Sequence, residues 1–551
     1  MTIMTGKRGL MESLKAERVK YIFGNPGTSE LPIMEELERH PELDYILVMQ
    51  EGVGLGMADT LARVTGEPSF VSLHIETGLA NGISLLHNAH QGGTPMVISA
   101  ANGDIRKLAQ GRTDLVEMVR PFTKFSAEIT HPEQVPSIMR RAFNEAKTPP
   151  TGPTFVGFSA NALDGMADMN IEASGKGYFQ TGPDIRAVQD TVNALAGSKN
   201  PILVVGDRVS QSKSVNEVVK LAEILGARVY ASAFSEMNFP MTHPQFSGMV
   251  QPGSKDGRQK LSSGDVVLAI GKLSTYAQLS SNPELLLIDL NTTFIHVDND
   301  PSEIGKSQPT DVGIVADPKV ALTEITEALS TEMSGSAKEA AKGRIEILSQ
   351  EKREERSKWG EVMCSKWNNN PMSDERMLSE LASSVPENSV ILADANTSRA
   401  SMNKIFQFDT PGAFHNMRGG AIGWGLGGAM GLKLAHPDKP VISIVGDGSA
   451  MMTVQAFWTA ATRNIPAIFV ITNNGAYKVL QNGMDSYKKF IKSETESTYI
   501  GMDFPDNLDI AALARDMGVA GKKITDPSDI GPSVKTALDS GKPAVLDMIL
   551  G

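Results

Sequence analysis

Short runs of unbroken apolar residues recur along this chain, separated by longer stretches whose apolar positions return every three or four residues. The runs YILVM, SFVSLH, MVISAA and TFVGF come first, then ILVVG, VVLAIG and FIHVD, and finally VILAD, VISIV, IFVIT and AVLDMIL. Apolar runs of this length predict strands buried on both faces, and their alternation with helical patterns predicts βαβ units and parallel sheets. Two polar seams break the series. One is ASGKGYFQTGPD (173–184); the other, MSGSAKEAAKGRIEILSQEKREERSKW, starts loosely and becomes a charged helix with a solvated face. The predicted fold is α/β, with three doubly wound parallel-sheet domains over residues 1–178, 184–333 and 371–551, and a charged helical linker over 334–370.

Composition narrows the function. A chain of 551 residues exceeds what one core serves, and 41% hydrophobic with 21% charged residues is ordinary for a soluble globular protein. The balance of 52 basic against 64 acidic residues, net −12, argues against a partner that is nucleic acid or an anionic membrane surface. No run approaches the roughly 18 apolar residues of a membrane span, and MTIMTGKRGLMESL turns polar too soon for a secretory signal. The lone Cys364 excludes internal disulfides and a multi-thiolate metal site. These features predict a cytoplasmic enzyme.

The candidate chemistry lies where strands stop. VISIV ends on Gly446-Asp447-Gly448-Ser449, and one strand–helix–strand unit later IFVIT ends on Asn473-Asn474-Gly475. Ligands of an open parallel sheet bind beyond the carboxyl ends of its strands, so Asp447 and Asn474 would face one site. Their oxygens suit a hard cation such as Mg²⁺, which readily bridges to phosphate. The glycines permit close backbone approach, and Ser449 is placed to cap a helix whose start would face the phosphates. Asp-Gly and Asn-Gly are also ordinary turn dipeptides, but two such strand ends at this spacing favour the metal reading.

GDGS followed by NNG resembles the motif of the thiamin-diphosphate-dependent decarboxylase and carboligase superfamily. GNPGTSELP (24–32), ILVMQE (46–51), FVSLH (70–74), NFPMTHPQFSG (238–248) and TAATRNIPAIFVITNNGAY (459–477) are similar to segments of its benzoylformate decarboxylases, in the same order. The resemblance implies a pyrimidine-binding, a middle and a diphosphate-binding domain. It implies a metal held by Asp447, Asn474 and the carbonyl of Ala476, with Gly448, Ser449 and Tyr477 beside the cofactor. Glu51, at the end of YILVMQ, would share a proton with the aminopyrimidine. Gly420, in RGGAIGWGLGGAMG (418–431), would accept from the 4′-amino group, and Ile422, otherwise a core residue, would be the wedge that bends the cofactor. Thr397 and Ser398, in ADANTSR (393–399), would donate hydroxyls to the diphosphate, although they also suit an N-cap cluster. Thr28 would bind the substrate carboxylate, and His74 would handle protons on the substrate. His87 and His90 share a helix face without a third ligand and read as structural.

Two departures stand out. The family's second active-site histidine has no counterpart in AIGKLSTYAQLSSNP (269–283), where Ala277 or a neighbour takes its place, and Arg418 stands where the family carries a small residue. Together they predict a substrate, or second carbonyl partner, with an extra negative group bound by Arg418; the competing reading points that arginine to solvent. The implied function is thiamin-diphosphate- and Mg²⁺-dependent decarboxylation of a 2-oxo acid to an aldehyde. The alternatives are a carboligase that traps the product on an acceptor aldehyde and, from another class, a non-catalytic cofactor-binding regulator. Flavin dependence is disfavoured by the resemblance of the middle domain. The resemblance further implies a homodimer or homotetramer in which Glu51 and the metal site come from different subunits. The small-residue helix starts after Glu51 and Gly423 are the expected subunit interface.

Overall fold

The computed structural model describes residues 2–251, 254–273, 286–306, 308–504 and 508–551, with backbone alone for 108–110. Ala277 lies outside the described residues. The apolar runs form three six-stranded sheets, every one parallel throughout, plus a two-stranded antiparallel ribbon of Thr2–Thr5 with Met166–Met169.

The first sheet runs Asp44–Leu47, Tyr21–Gly24, Ser69–His74, Met96–Asn102, Pro153–Ser159 and Phe125–Ile129. The third repeats that winding with Phe414–Asn416, Val390–Asp394, Val441–Gly446, Ile468–Asn473, Ala544–Ile549 and Ala520–Ile524. Strand order reverses between Tyr21–Gly24 and Ser69–His74 in one, and between Val390–Asp394 and Val441–Gly446 in the other. Such reversals open a crevice at the carboxyl ends of the strands. His74 closes one of these strands, and Asp394 and Asp447 flank the corresponding gap in the other.

The middle sheet is wound differently, as Phe246–Val250, Arg228–Ser232, Pro201–Val205, Val266–Ile270, Thr293–Asp298 and Val312–Val315. Its reversal point is filled from within. A Cβ on Gly206 would lie 2.1 Å from the Lys272 carbonyl oxygen, and one on Gly271, at φ +82°, 2.6 Å from the Arg208 Cβ. The buried Arg208 guanidinium sits there, 3.3 Å from Asp298.

Between the middle and third sheets runs a 32-residue helix, Gly335–Lys366, on which only Ala341 and Leu348 are buried. This is the charged, solvated helix that its sequence predicts. The small-residue helices behave otherwise than expected. Glu51–Thr65 and Trp424–Ala435 pack on each other within one chain. A Cβ on Gly427 would lie 2.6 Å from the Val53 carbonyl oxygen, and one on Gly431 2.1 Å from that of Met57. Thr60 Oγ1 donates to Gly428 O at 2.8 Å, and Trp424 Nε1 to Asp59 Oδ2 at 2.7 Å. Backbones this close leave no room for a partner subunit, so these faces are an internal domain interface. No helix among the described residues is long and apolar enough to cross a membrane.

Candidate active site

Asp447 is the first residue of the helix Asp447–Met452, immediately past its strand. Its Oδ2 accepts from the backbone N–H of Asn474 at 3.0 Å and Gly475 at 2.8 Å, and its Oδ1 from Gly448 at 2.7 Å. Burial raises the Asp447 carboxyl above the usual range, against the pull of those donors. Asn474 Oδ1 accepts from Ala476 N at 3.2 Å. Ala476 faces Asp503 in an isolated antiparallel bridge. The bonds there run from Tyr477 N to Met502 O and from Phe504 N to Gly475 O, both 2.8 Å, and not from Ala476 itself.

Asp447, Asn474 and Ala476 border one cavity of about 50 Å³, together with Thr397, Ile422 and Tyr477. The donor set is one carboxylate, one amide oxygen and one backbone carbonyl, all hard, which fits Mg²⁺ and leaves coordination positions for phosphate and water. The cradle is open: a Cβ on Gly446 would meet nothing closer than Asp394 O at 3.9 Å. Gly448 is required for the opposite reason, since a Cβ there would lie 2.4 Å from the Tyr477 ring. That ring stands edge-on to Phe504, 4.8 Å between centroids. Among the described residues no three His, Cys, Asp or Glu side chains cluster as a metal site.

Asp394 ties this cavity together, a role the sequence reading missed. Its Oδ2 accepts from Gly423 N at 3.1 Å, Gly425 N at 2.8 Å and the Ser449 hydroxyl, while its buried Oδ1 has no protein partner. Burial pushes the Asp394 carboxyl up to about 6. Ser449 is therefore no helix cap: Gly446 occupies the N-cap position, and the Ser449 hydroxyl accepts from Gly423 N at 2.8 Å. The Gly-rich loop turns at Gly419, Gly420 and Gly423, with φ of +76°, +90° and +98°, values that exclude most side chains. Its edges are pinned from the first domain by Asn88 Nδ2 to Ala421 O, 2.7 Å, and by His87 Nε2, 3.2 Å from Gly419 O. His87 is structural, as its sequence predicts.

The second cluster lies on the first sheet. Glu51 starts its helix, is 5% exposed, and accepts from Asn25 Nδ2 at 3.2 Å and Asn81 Nδ2 at 3.1 Å. His74 Nδ1 lies 2.8 Å from Glu30 Oε2 and 2.8 Å from Ser29 Oγ. Glu30 has no exposed surface and also accepts from Gly27 N, Ala101 N and Ser29 Oγ. With every other neighbour donating, Glu30 acts as the acceptor, which assigns the histidine proton to Nδ1 and leaves Nε2 as the acceptor of that tautomer. The next residue, Ile75, is held at φ +24°, unusual for a β-branched side chain and a sign that the position of His74 is imposed. Glu30, Asn25 and Asn81 were also missed. The Gly27-to-Glu30 spacing of a capping box was the available signal. Thr28 is exposed at the start of the turn Thr28–Glu30, and its neighbours make the contacts to His74.

Two expected ligand contacts are corrected. Ser398 is fully buried and donates to Asp374 Oδ1 at 2.7 Å, so its hydroxyl is committed away from the diphosphate cavity. Arg418 is 1% exposed, and it neither points to solvent nor meets a substrate. Its Nε lies 2.7 Å from Asp207, its Nη2 lies 3.0 Å from Glu236, and its Nη1 donates to Gly92 O at 2.9 Å. Arg63, Asp59 and His415 complete this buried knot at the junction of the three domains. Buried and already neutralised by two carboxylates, this guanidinium is poorly placed to bind a substrate anion.

Three segments of the chain match the three parts of one enzyme family. Residues 4–118 match "Thiamine pyrophosphate enzyme, N-terminal TPP binding domain", residues 188–325 its "central domain", and residues 394–548 its "C-terminal TPP binding domain". The chain is a thiamine pyrophosphate enzyme. Within that family it is 27% identical to a benzoylformate decarboxylase of Pseudomonas aeruginosa, over 98% of this chain and 97% of that one. It is 28% identical to a probable acetolactate synthase large subunit of Methanococcus aeolicus, over 99% of this chain and 92% of the relative. Among solved structures, a thiamine diphosphate-dependent 4-hydroxybenzoylformate decarboxylase from Rhodococcus jostii superposes with a TM-score of 0.83 at 24% identity, covering 100% and 99% of the two chains. In this thiamine pyrophosphate enzyme the first and third sheets carry the two clusters described above, and residues 394–548 contain the whole oxygen cradle.

Proposed function

We propose that this enzyme catalyses the non-oxidative decarboxylation of a 2-oxo acid to an aldehyde. The observation that carries the reading is the Glu30–His74 pair beside the buried Glu51. Bound thiamin diphosphate supplies the nucleophile and electron sink for cleaving the bond to the carboxylate. Asp447, Asn474 and the Ala476 carbonyl would hold Mg²⁺ for the diphosphate, with Thr397 and Tyr477 lining the same cavity. Gly420 O would orient the aminopyrimidine, Ile422 would pack against the bound cofactor, and Glu51 would exchange a proton with the ring in a water-poor setting. Thr28 offers a hydroxyl to the substrate carboxylate. His74 moves a proton at Nε2 while Glu30 fixes its tautomer, which suits release of an aldehyde.

Carboligation is the second reading, supported by full-length similarity to acetolactate synthases at 26–28% identity. The filled crevice of the middle sheet, with Arg208 paired to Asp298, supports a flavin-free enzyme of either kind. We further propose domain limits at 1–178, 184–333 and 371–551, and a homodimer or homotetramer in which the two clusters meet between subunits. Exposed apolar side chains border both: Leu31 (62%) and Met49 (52%) at one, Met452 (46%) and Leu480 (51%) at the other.

A panel of 2-oxo acids assayed for carbon dioxide release, with and without added aldehyde, tests the reading. Aldehyde as sole product supports the decarboxylase, and acyloin formed only with an acceptor supports the carboligase. Absence of carbon dioxide from every acid, with cofactor bound, overturns both.

A further inference from the structure

Apart from the two clusters, a cavity of about 240 Å³ lies between the linker helix Gly335–Lys366, the strand Phe246–Val250 and the helix Arg399–Ile405. That is larger than the roughly 150 Å³ in which an engineered apolar cavity binds benzene. Its apolar walls come from Met241, Phe246, Met249 and Trp359. Two wall residues hold buried polar atoms without a protein partner, the Trp359 indole Nε1 and the Asn403 Oδ1. A buried donor left unpaired is costly, so native sites rarely leave one unless water or a ligand completes it.

The charge around this cavity is predominantly positive. Lys352, Arg356 and Lys404 line it against the single Glu355. Lys352 is committed to structure, donating to the carbonyls of Met241 (2.6 Å), His243 (2.9 Å) and Phe246 (3.1 Å). Lys404 Nζ sits 4.8 Å from the Trp359 ring centre and 3.5 Å from Glu355. Arg356 is exposed and bonds only the neutral amide of Gln407 among the described contacts, which leaves its charge available at the mouth.

We propose that this cavity is a second ligand site, taking a small aromatic monocarboxylate. The ring lies among Phe246, Met249 and Trp359, and the carboxylate meets Arg356 and the free indole N–H. The site also reaches the cofactor. Asn403 and Lys404 lie on the helix Arg399–Ile405, which begins directly after the turn that brings Asp394 and Thr397 to the diphosphate cavity. A ligand that clamps this helix to the linker therefore stiffens the turn and raises thiamin diphosphate affinity, and linkage makes the effect reciprocal.

The probe is phenylacetate, titrated into the cofactor-loaded enzyme by calorimetry and tryptophan fluorescence. Saturable binding is expected with a fluorescence change that disappears in Trp359→Phe, and with affinity at least tenfold weaker in Arg356→Ala. Ala400→Phe, which fills the cavity from an exposed helix position, should abolish binding while leaving basal turnover intact. Thiamin diphosphate should bind several-fold more tightly at saturating phenylacetate in the wild type and unchanged in Ala400→Phe. Phenylacetate that competes with the 2-oxo acid and binds Ala400→Phe as tightly as wild type belongs in the active site, and overturns the proposal. Absence of saturable binding overturns it equally.

Discussion

Glu30 accepts four hydrogen bonds with no surface exposed, and one of them orients the imidazole of His74. Glu30→Gln replaces half of that acceptor with a donor and releases the Nδ1 tautomer. It should lower kcat by about 10²–10⁴-fold, the usual weight of a positioned acid–base group. Thiamin diphosphate affinity, measured by calorimetry, should stay within a factor of two, which separates tautomer control from loss of the fold. Asp394 carries a different prediction, about pH. Its carboxyl is raised from 3.8 to about 6, so the folded protein binds the extra proton between those values. Stability is thus favoured at low pH and falls as pH rises through the window. The wild type should lose about 2 kcal/mol relative to Asp394→Asn between pH 4 and pH 7. Matched denaturant titrations of the cofactor-free proteins measure this, and parallel pH profiles would remove Asp394 as the source.

At the scale of elements, the glycines of Trp424–Ala435 act through contact rather than flexibility. The site depends on the seam between this helix and Glu51–Thr65, because one begins at Glu51 and the other follows the Gly-rich loop. Gly431→Ala puts a methyl 2.1 Å from the Met57 carbonyl oxygen, a backbone atom that cannot swing aside. Overpacking of this kind costs about 1–3 kcal/mol. The variant should melt lower and bind thiamin diphosphate more weakly. Gly343→Ala, on the exposed linker helix with nothing within 4 Å, is the control and should be neutral or stabilising.

At the scale of the molecule, Arg418 reports on the junction of domains. Arg418→Ala strands Asp207 and Glu236 in a buried setting, and breaking such a pair from one side costs about 3–5 kcal/mol. The variant should lose stability while the ratio of kcat/KM on 2-oxoglutarate to that on benzoylformate stays unchanged. A selective loss on the acidic substrate would restore the ligand role that the burial of this side chain opposes. Arg418→Lys should rescue little, since an ammonium cannot span both carboxylates and the Gly92 carbonyl with the same fork geometry.

Much of this protein was written in its local sequence. Strand and helix follow from the periodicity of apolar residues, and the parallel pairing of all three sheets follows from how those elements alternate, while the order of strands does not. The placement of Asp447 and Asn474 just past their strands, and of Glu51 at a helix start, was legible because apolar runs mark where strands stop. The exceptions all involve partners far apart in sequence. Arg418 looked like a free cation because Asp207 and Glu236 lie some two hundred residues upstream in another domain. Ser398 looked like a phosphate donor until Asp374 claimed its proton. Asp394 and Glu30 looked like a strand terminus and a turn acid until folding gathered four donors around one and three around the other's single oxygen. Sequence periodicity sets which way a side chain leaves the backbone, but only tertiary packing sets what it meets and whether water remains to screen it. A charge's role depends on that second fact.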